Sequence, residues 1–160
     1  IPMVKENIAI PLIAAGGIAT GRGMLAAMVL GADGVQMGSR FVASKESSAH
    51  DNFKNTVVAS KEGDTQLTLK ELAPVRLIKN KFYQQVQELY AKGATKEELI
   101  QLLGRARAKR GMFEGDLEEG ELEIGQIAGL IHDIQPVSKI IESILTEFQL
   151  AQKESVQWGF

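Results

Sequence analysis

An α/β fold with parallel strands is what this sequence predicts, and three observations between Pro11 and Phe41 predict it. An apolar run, Leu12 to Ala15, is bounded by Pro11 and by Gly16-Gly17, the pattern of a short strand buried on both faces of a parallel sheet. Gly21 to Leu30 carries Met24, Ala27, Met28 and Leu30 at roughly helical spacing and stops at Gly31, as at a helix-terminating glycine. Gly34 to Met37 then gives a second strand, closed by Gly38-Ser39. Strand, helix and strand within about thirty residues make one βαβ unit with a right-handed crossover.

Both glycine turns fall at the C-terminal ends of their strands, the edge where α/β folds bind ligands. Glycine lets a backbone N–H approach an anion with no Cβ in the way. Gly38-Ser39 also opens a helix, whose first N–H groups lack intrahelical partners. Gly16, Gly17, Gly38 and Ser39 are therefore candidates for a phosphate cup. The plainer alternative is that each glycine only makes a tight strand-to-helix turn.

Taken in order, Ile1–Ile8 reads as the last turns of a helix, and Thr20 as the cap of the helix that follows the first strand. Residues 47–60 read as a helix capped by Ser44 or Ser47, with Phe53, Val57 and Val58 on its apolar side. Gly63-Asp64 breaks that pattern, and Thr65–Leu69 alternates as a short strand with one wet face. Val75–Tyr90 carries Leu77, Ile78, Phe82, Val86, Leu89 and Tyr90 at helical spacing and stops at Gly93. Thr95 and Glu98 form a capping box for a helix from Lys96 to about Arg107. Gly111–Glu123 is acidic and glycine-rich, a loop. Gly125–Pro136 is a short apolar helix, and Ser138 caps a last amphipathic helix with Ile140, Ile141, Ile144, Leu145 and Phe148 on one side. The tail after Gln152 is expected to fray, with Trp158 packing back.

The bulk properties exclude several classes. The chain has 160 residues, a formal charge of −2 and no cysteine. That length supports one domain with a real core. Dispersed charge gives no nucleic-acid surface. The absence of cysteine removes disulfides, thiol catalysis and thiolate metal sites. No apolar run reaches a membrane span and no signal peptide is visible, so a cytoplasmic protein is expected. One βαβ unit cannot close a parallel sheet, and the chain is expected to be the C-terminal part of a larger protein.

Other polar groups offer little chemistry. The only histidines, His50 and His132, have no metal-ligand partners at useful spacing and read as ordinary helix residues. Arg105–Arg110 lacks interleaved aromatics and reads as a solvated helix face; Glu118–Glu123 reads as solvated loop. Arg76 and Asn80 lie four apart and would share a helix face, with a structural carboxylate partner favoured over a ligand. Gln126 opens a short helix, where its amide either binds a ligand or caps backbone.

The segments AAGGIATG and GADGVQMGSRF resemble the last two βα units of flavin-dependent TIM barrels. Inosine-monophosphate dehydrogenases carry a similar pair, so these motifs alone fix only a phosphate-binding barrel. SRFVASKESSAH, APVRLIKNKF and GQIAGLIHDIQP are similar to the C-terminal half of nitronate monooxygenases (2-nitropropane dioxygenases) and of the flavin-type enoyl-acyl carrier protein reductases. The resemblance covers about Ile8 to Leu150. It implies an FMN-binding (β/α)₈ barrel plus a smaller, mainly helical domain: residues 1–45 as the last two βα units, 46–136 as the small domain, and 137–160 as a helix returning to the barrel and a tail. It matches Gly16, Gly17, Gly38 and Ser39 to the FMN phosphate, Gln36 and Met37 to the strand entering the second turn, and Gln126 to a segment near the flavin ring. NAD(P)H enters as a substrate in the reductase branch. The family's catalytic histidine sits in a glycine-rich motif this sequence lacks, and neither His50 nor His132 matches it; the catalytic group is expected upstream of Ile1. Oxidation of a nitronate and reduction of an enoyl thioester both fit. A non-redox phosphate-binding lyase or isomerase barrel is the alternative from another class, and a non-enzymatic helical interaction module a weaker one. The expected partners are a small-molecule substrate and the missing N-terminal part of the same protein. Unpaired strand edges also favour pairing with another copy, and the chain alone is expected to show no turnover.

Overall fold

The computed structural model describes residues 1–157 and has an α/β architecture. After a short helix α1 (Pro2–Lys5), strand β1 (Ile13–Ala15) leads into helix α2 (Gly21–Val29), and strand β2 (Gly34–Gln36) returns beside β1. The two strands pair in parallel, Ile13 with Gly34, Ala14 with Val35 and Ala15 with Gln36. The predicted βαβ unit is therefore present. Thr20 caps α2 as its composition suggests, its Oγ1 accepting from Gly23 N at 3.0 Å. Gly31, just past the end of α2, has φ +107°, a conformation that favours glycine.

The two strands are not buried on both faces. Ala14 packs with Ala27 and Ala32, but Ile13 is 53% exposed and Ala15 faces solvent. The sheet has two strands, and among the described residues nothing covers its other face.

Beyond β2 come helices α3 (Ser39–Val42) and α4 (Asp51–Ala59), then an antiparallel hairpin, β3 (Thr65–Thr68) with β4 (Val75–Ile78), in a separate sheet. Helices α5 (Lys81–Ala91), α6 (Lys96–Leu103) and α7 (Arg107–Met112) follow. A 3₁₀ helix (Gln126–Leu130) and the long helix α8 (Val137–Val156) complete the described chain. Among the described residues no helix is long and apolar enough to cross a membrane.

Several expectations give way. The helix expected over Val75–Tyr90 is two elements: β4 pairs with β3, and α5 begins only after Asn80. Asn80 is extended (φ −133°, ψ −168°), and its side chain caps α5 by accepting from Tyr83 N at 3.0 Å. Arg76 and Asn80 thus share no helix face. Arg76 donates to the Thr65 carbonyl across the hairpin, and the Asn80 amide donates to the carbonyls of Leu117 and Gly120. Helix α4 begins at Asp51, not Ser47, because the Ser44 and Ser47 hydroxyls hold a turn ahead of it. Its cap is His50, whose Nδ1 accepts from Asn52 N at 3.1 Å. Helix α6 ends at Leu103, short of Arg107, and a separate helix α7 takes residues 107–112, its last two lying in the stretch that reads as loop. The β3 strand buries its two ends, Thr65 and Thr68, rather than one alternating face.

Ser138 does not cap α8. Both carboxylate oxygens of Glu46, 91 residues away, accept from Val137 N at 2.9 and 3.1 Å. Of the apolar side expected on α8, Ile140 and Ile144 are buried, while Ile141 and Leu145 remain exposed. The helix continues to Val156 rather than fraying at Gln152; Trp158 lies outside the described residues.

Two further cores hold the rest together. Phe53, Val57, Ile78, Leu122, Ile124, Ala128 and Ile131 bury together with Ala19 and Ala43, joining the later segments to the βα turns. Leu69, Leu77, Phe82, Val86 and Leu99 form the second, under the hairpin and α5–α6.

Candidate functional site

The candidate site is built on the C-terminal ends of β1 and β2. Gly16 and Gly17 follow the last paired residue of β1, and Met37 and Gly38 follow that of β2. Parallel pairing therefore sends both turns out of the same edge, one strand spacing apart, about 5 Å. Gly16 and Gly17 have φ of +91° and +71°, which a residue with a side chain rarely adopts. A Cβ built on Gly16, Gly17 or Gly38 would have no heavy atom within 4 Å, so open space lies over all three. A side chain at any of the three glycines would meet open space, and the backbone donors at Gly17, Gly38 and Ser39 are left without a protein partner among the described residues.

Ser39 links this edge to a distant segment. Its Oγ accepts from Gly125 N at 3.0 Å, across 86 residues. Gly125 is close enough that a Cβ there would lie 2.7 Å from the Ser39 hydroxyl. This contact seats Gln126, the first residue of the 3₁₀ helix, beside the turns. Gln126 and Gly17 line one cleft of about 370 Å³ with Glu62, Gly63, Ile127, Gly129 and Leu130. The structure thus brings Gly17, Ser39 and Gln126 to one region. Gln36 is exposed at the end of β2 and Met37 half-buried after it; neither lines that cleft.

The expected apolar helix Gly125–Pro136 is shorter than its composition suggests. The 3₁₀ turn ends at Leu130, Ile131 is extended, and Gln135 bridges to Ser44. His132 therefore lies after the 3₁₀ turn rather than on an α-helix. It lines a second cavity of about 200 Å³, where Thr20, Arg40, Asp133, Lys139 and Glu147 face aliphatic residues that include Ile140 and Ile144. Arg40, on α3, donates to the carbonyl and carboxylate of Asp133.

Charged residues taken as solvated are partly structural. The Arg107 guanidinium lies 4.5 Å from the Phe82 ring centroid. It donates to the Leu102 and Leu103 carbonyls at the end of α6 and to the Glu119 carbonyl. Glu121 is 7% exposed, on an extended segment that pairs beside β4 and leads to Gly125. Burial, then the nearby Glu123 charge, pushes its carboxyl up to about 7, against a smaller opposing pull from Arg107. Burial raises Glu123 too. The folded pKa of Glu121 lies above the ordinary value of 4.5, so the folded state holds the extra proton between them. Its ionisation penalty is absent below pH 4.5, grows through that window and is complete above about 7. Glu121→Gln is accordingly expected to stabilise the fold by about 3 kcal/mol at pH 8 and by almost nothing at pH 4. Urea unfolding at the two pH values checks this; an equal change at both would contradict it.

The family model for nitronate monooxygenase matches residues 1–147. The chain belongs to the nitronate monooxygenase family. A probable nitronate monooxygenase from Staphylococcus saprophyticus is 35% identical over 148 residues, 92% of this chain and 41% of the relative's length. One from Staphylococcus aureus (strain Newman) is 42% identical over 89 residues, 55% of this chain and 25% of its own. The chain thus spans under half the length of these curated relatives. FabK from Thermotoga maritima superposes with a TM-score of 0.88 at 42% identity, covering 98% of this chain and 50% of FabK. Nitroalkane oxidase from Streptomyces ansochromogenes gives 0.73 at 29%, covering 96% and 43%. The family motifs read at Gly16-Gly17, Gly38-Ser39 and Gln126 all lie within the matched stretch.

Two features at the site carry no signal in the sequence. The Ser39–Gly125 contact and a carboxylate from α8, Glu147, both reach the βα turns from far along the chain. Glu147 Oε2 accepts from Gly21 N at 2.7 Å, across 126 residues. No local pattern announces such partners; the glycine at 125 is the one hint of a close approach.

Proposed function

We propose that this chain carries the flavin-phosphate end of an FMN-dependent oxidoreductase of the nitronate monooxygenase type. The observation that carries the reading is the pair of glycine turns on adjacent parallel strands, open to solvent and presenting unpartnered N–H groups at Gly17, Gly38 and Ser39. A phosphate has room there, and the donors it needs are present, so these residues fit the group. Gly16, Gly17, Gly38 and Ser39 would hold the phosphate, with Gln36 and Met37 leading into the second turn. Gln126, seated by the Ser39–Gly125 hydrogen bond, would present its amide toward the ring system from the Gly17 cleft. Bound FMN would supply the redox chemistry. The exposed sheet face and edges of β1–β2 suit further strands of the same protein, as closure into a (β/α)₈ barrel requires. In this reading residues 46–136 form a smaller unit beside the barrel mouth, the substrate is a small molecule, and the protein is cytoplasmic.

Reduction of an enoyl thioester by NAD(P)H through the same flavin is the second reading. The likeness of SRFVASKESSAH and GQIAGLIHDIQP to flavin-type enoyl reductases supports it. Paired assays of nitronate oxidation and NAD(P)H-dependent enoyl reduction on the complete protein distinguish the two.

The test of the flavin site is Gly38→Val. A valine there would project into the space a phosphate needs and leave the surrounding packing untouched, since nothing lies within 4 Å. FMN affinity of the complete protein is expected to fall about a hundredfold, with the unfolding midpoint of the flavin-free form unchanged. Undiminished flavin occupancy would remove the site.

A further inference from the structure

We propose that Glu147 is a positioning residue for the first phosphate turn: its carboxylate fills the N-terminus of α2 and closes that helix end to outside anions. It thereby fixes the far end of the loop from Gly16 to Thr20, so that a flavin phosphate is confined to the two glycine turns. This rests on the flavin reading above.

Three contacts tie the start of α2 to α8. Glu147 Oε2 accepts from Gly21 N at 2.7 Å. Gly21 itself abuts the α8 backbone, and a Cβ on it would lie 2.8 Å from the Glu147 carbonyl carbon. Arg22 pairs with Glu154 at 2.6 Å and lies 4.0 Å from Glu147. The first turn of a helix normally attracts an anion through its free N–H groups. Here Glu147 takes the Gly21 donor and Thr20 takes the Gly23 donor, and a carboxylate already sits where an anion would.

The consequence reaches the phosphate turn through a short tether. Pairing of Ala15 with Gln36 holds one end of the loop, and Glu147 on Gly21 holds the other. Between them Ile18 packs on the βαβ core and Ala19 is buried in the core around Phe53. Gly16 and Gly17 are left as the free crest, with their donors exposed. Releasing Gly21 would let that crest relax while the β1–β2 pairing stays.

The test uses the complete protein stripped of flavin, with FMN and riboflavin as probes, since riboflavin lacks the phosphate. Glu147→Ala is expected to weaken FMN about tenfold, the size of one charge-assisted hydrogen bond, and riboflavin less than about twofold. Glu147→Gln keeps an acceptor for Gly21 and is expected to stay within about threefold of the parent for FMN. Equal loss of both flavins in Glu147→Ala would show a merely structural role and overturn the proposal. So would unchanged FMN affinity in Glu147→Ala alongside loss in Gly38→Val, which would leave the flavin site standing. A parent protein that binds FMN no better than riboflavin would overturn the phosphate site itself, and the proposal with it. If Glu147→Ala does not fold, Glu147→Asp, one methylene short of Gly21, replaces it. The same FMN-selective loss, about threefold, is then expected, and no selective loss overturns the proposal.

Discussion

Phe82→Ala is expected to lower the stability of the fold by about 4 kcal/mol. Phe82 is fully buried on the inner face of α5, against Leu69, Leu77, Val86 and Leu99. Truncation removes its buried apolar area and leaves a void that four aliphatic neighbours, held on a hairpin and two helices, cannot close. It also takes away the ring beneath the Arg107 guanidinium, 4.5 Å from its centroid. That guanidinium donates to the last carbonyls of α6 and to the Glu119 carbonyl, so its loss of support loosens the connection from α6 to the segment before Gly125. Phe82→Leu, which keeps most of the volume, is expected to cost about 1 kcal/mol. Urea midpoints of the two variants give the measurement. A Phe82→Ala loss below about 1 kcal/mol would mean that this cluster is not a core.

Gly21→Ala is expected to destabilise by about 3 kcal/mol, with the opposite sign from the usual effect of alanine in a helix. At an ordinary helical position the change stabilises by about 1 kcal/mol, because glycine is the poorer helix former. At Gly21 the added methyl would fall inside van der Waals contact of the Ile144 carbonyl oxygen and the Phe148 nitrogen. Both are backbone atoms of α8, so no rotamer change relieves the clash, and the two helices must separate. Separation would break the Gly21–Glu147 hydrogen bond and strain the Arg22–Glu154 pair. Gly23→Ala is the control: its nearest neighbour would be Thr20 Oγ1 at 3.3 Å, a contact a small shift relieves. Thermal unfolding of the two variants side by side tests the argument. A neutral or stabilising Gly21→Ala would show that α2 and α8 do not meet as described.

The elements that the sequence predicted well owe their form to local rules. The βαβ unit is bounded by residues whose backbone preferences act within a few positions: the cap at Thr20, the left-handed glycine at Gly31 and the turns at Gly16-Gly17 and Gly38. The Thr95–Glu98 capping box appears as predicted, both of its hydrogen bonds formed within four residues. Where an apolar run fits two periods, the local rules fail. Val75, Leu77 and Ile78 continue the spacing of Phe82 and Val86 by coincidence, and only pairing with Thr65–Thr68 makes them a strand.

By itself, then, the sequence determined the α/β class, the two turns that make the candidate phosphate cup, and the family to which the chain belongs. Each depends on short-range backbone chemistry or on motifs a few residues long. Tertiary structure alone decided what holds those turns in place. Glu46 on α8, Glu147 on α2, Gly125 on Ser39 and Arg107 on Phe82 join residues between 25 and 126 positions apart. It likewise decided that Glu121, written within an acidic run, is buried with its proton held to about pH 7. A charge's surroundings, like a cap's distant partner, are fixed by packing in three dimensions, and neither leaves a period or a spacing in the chain.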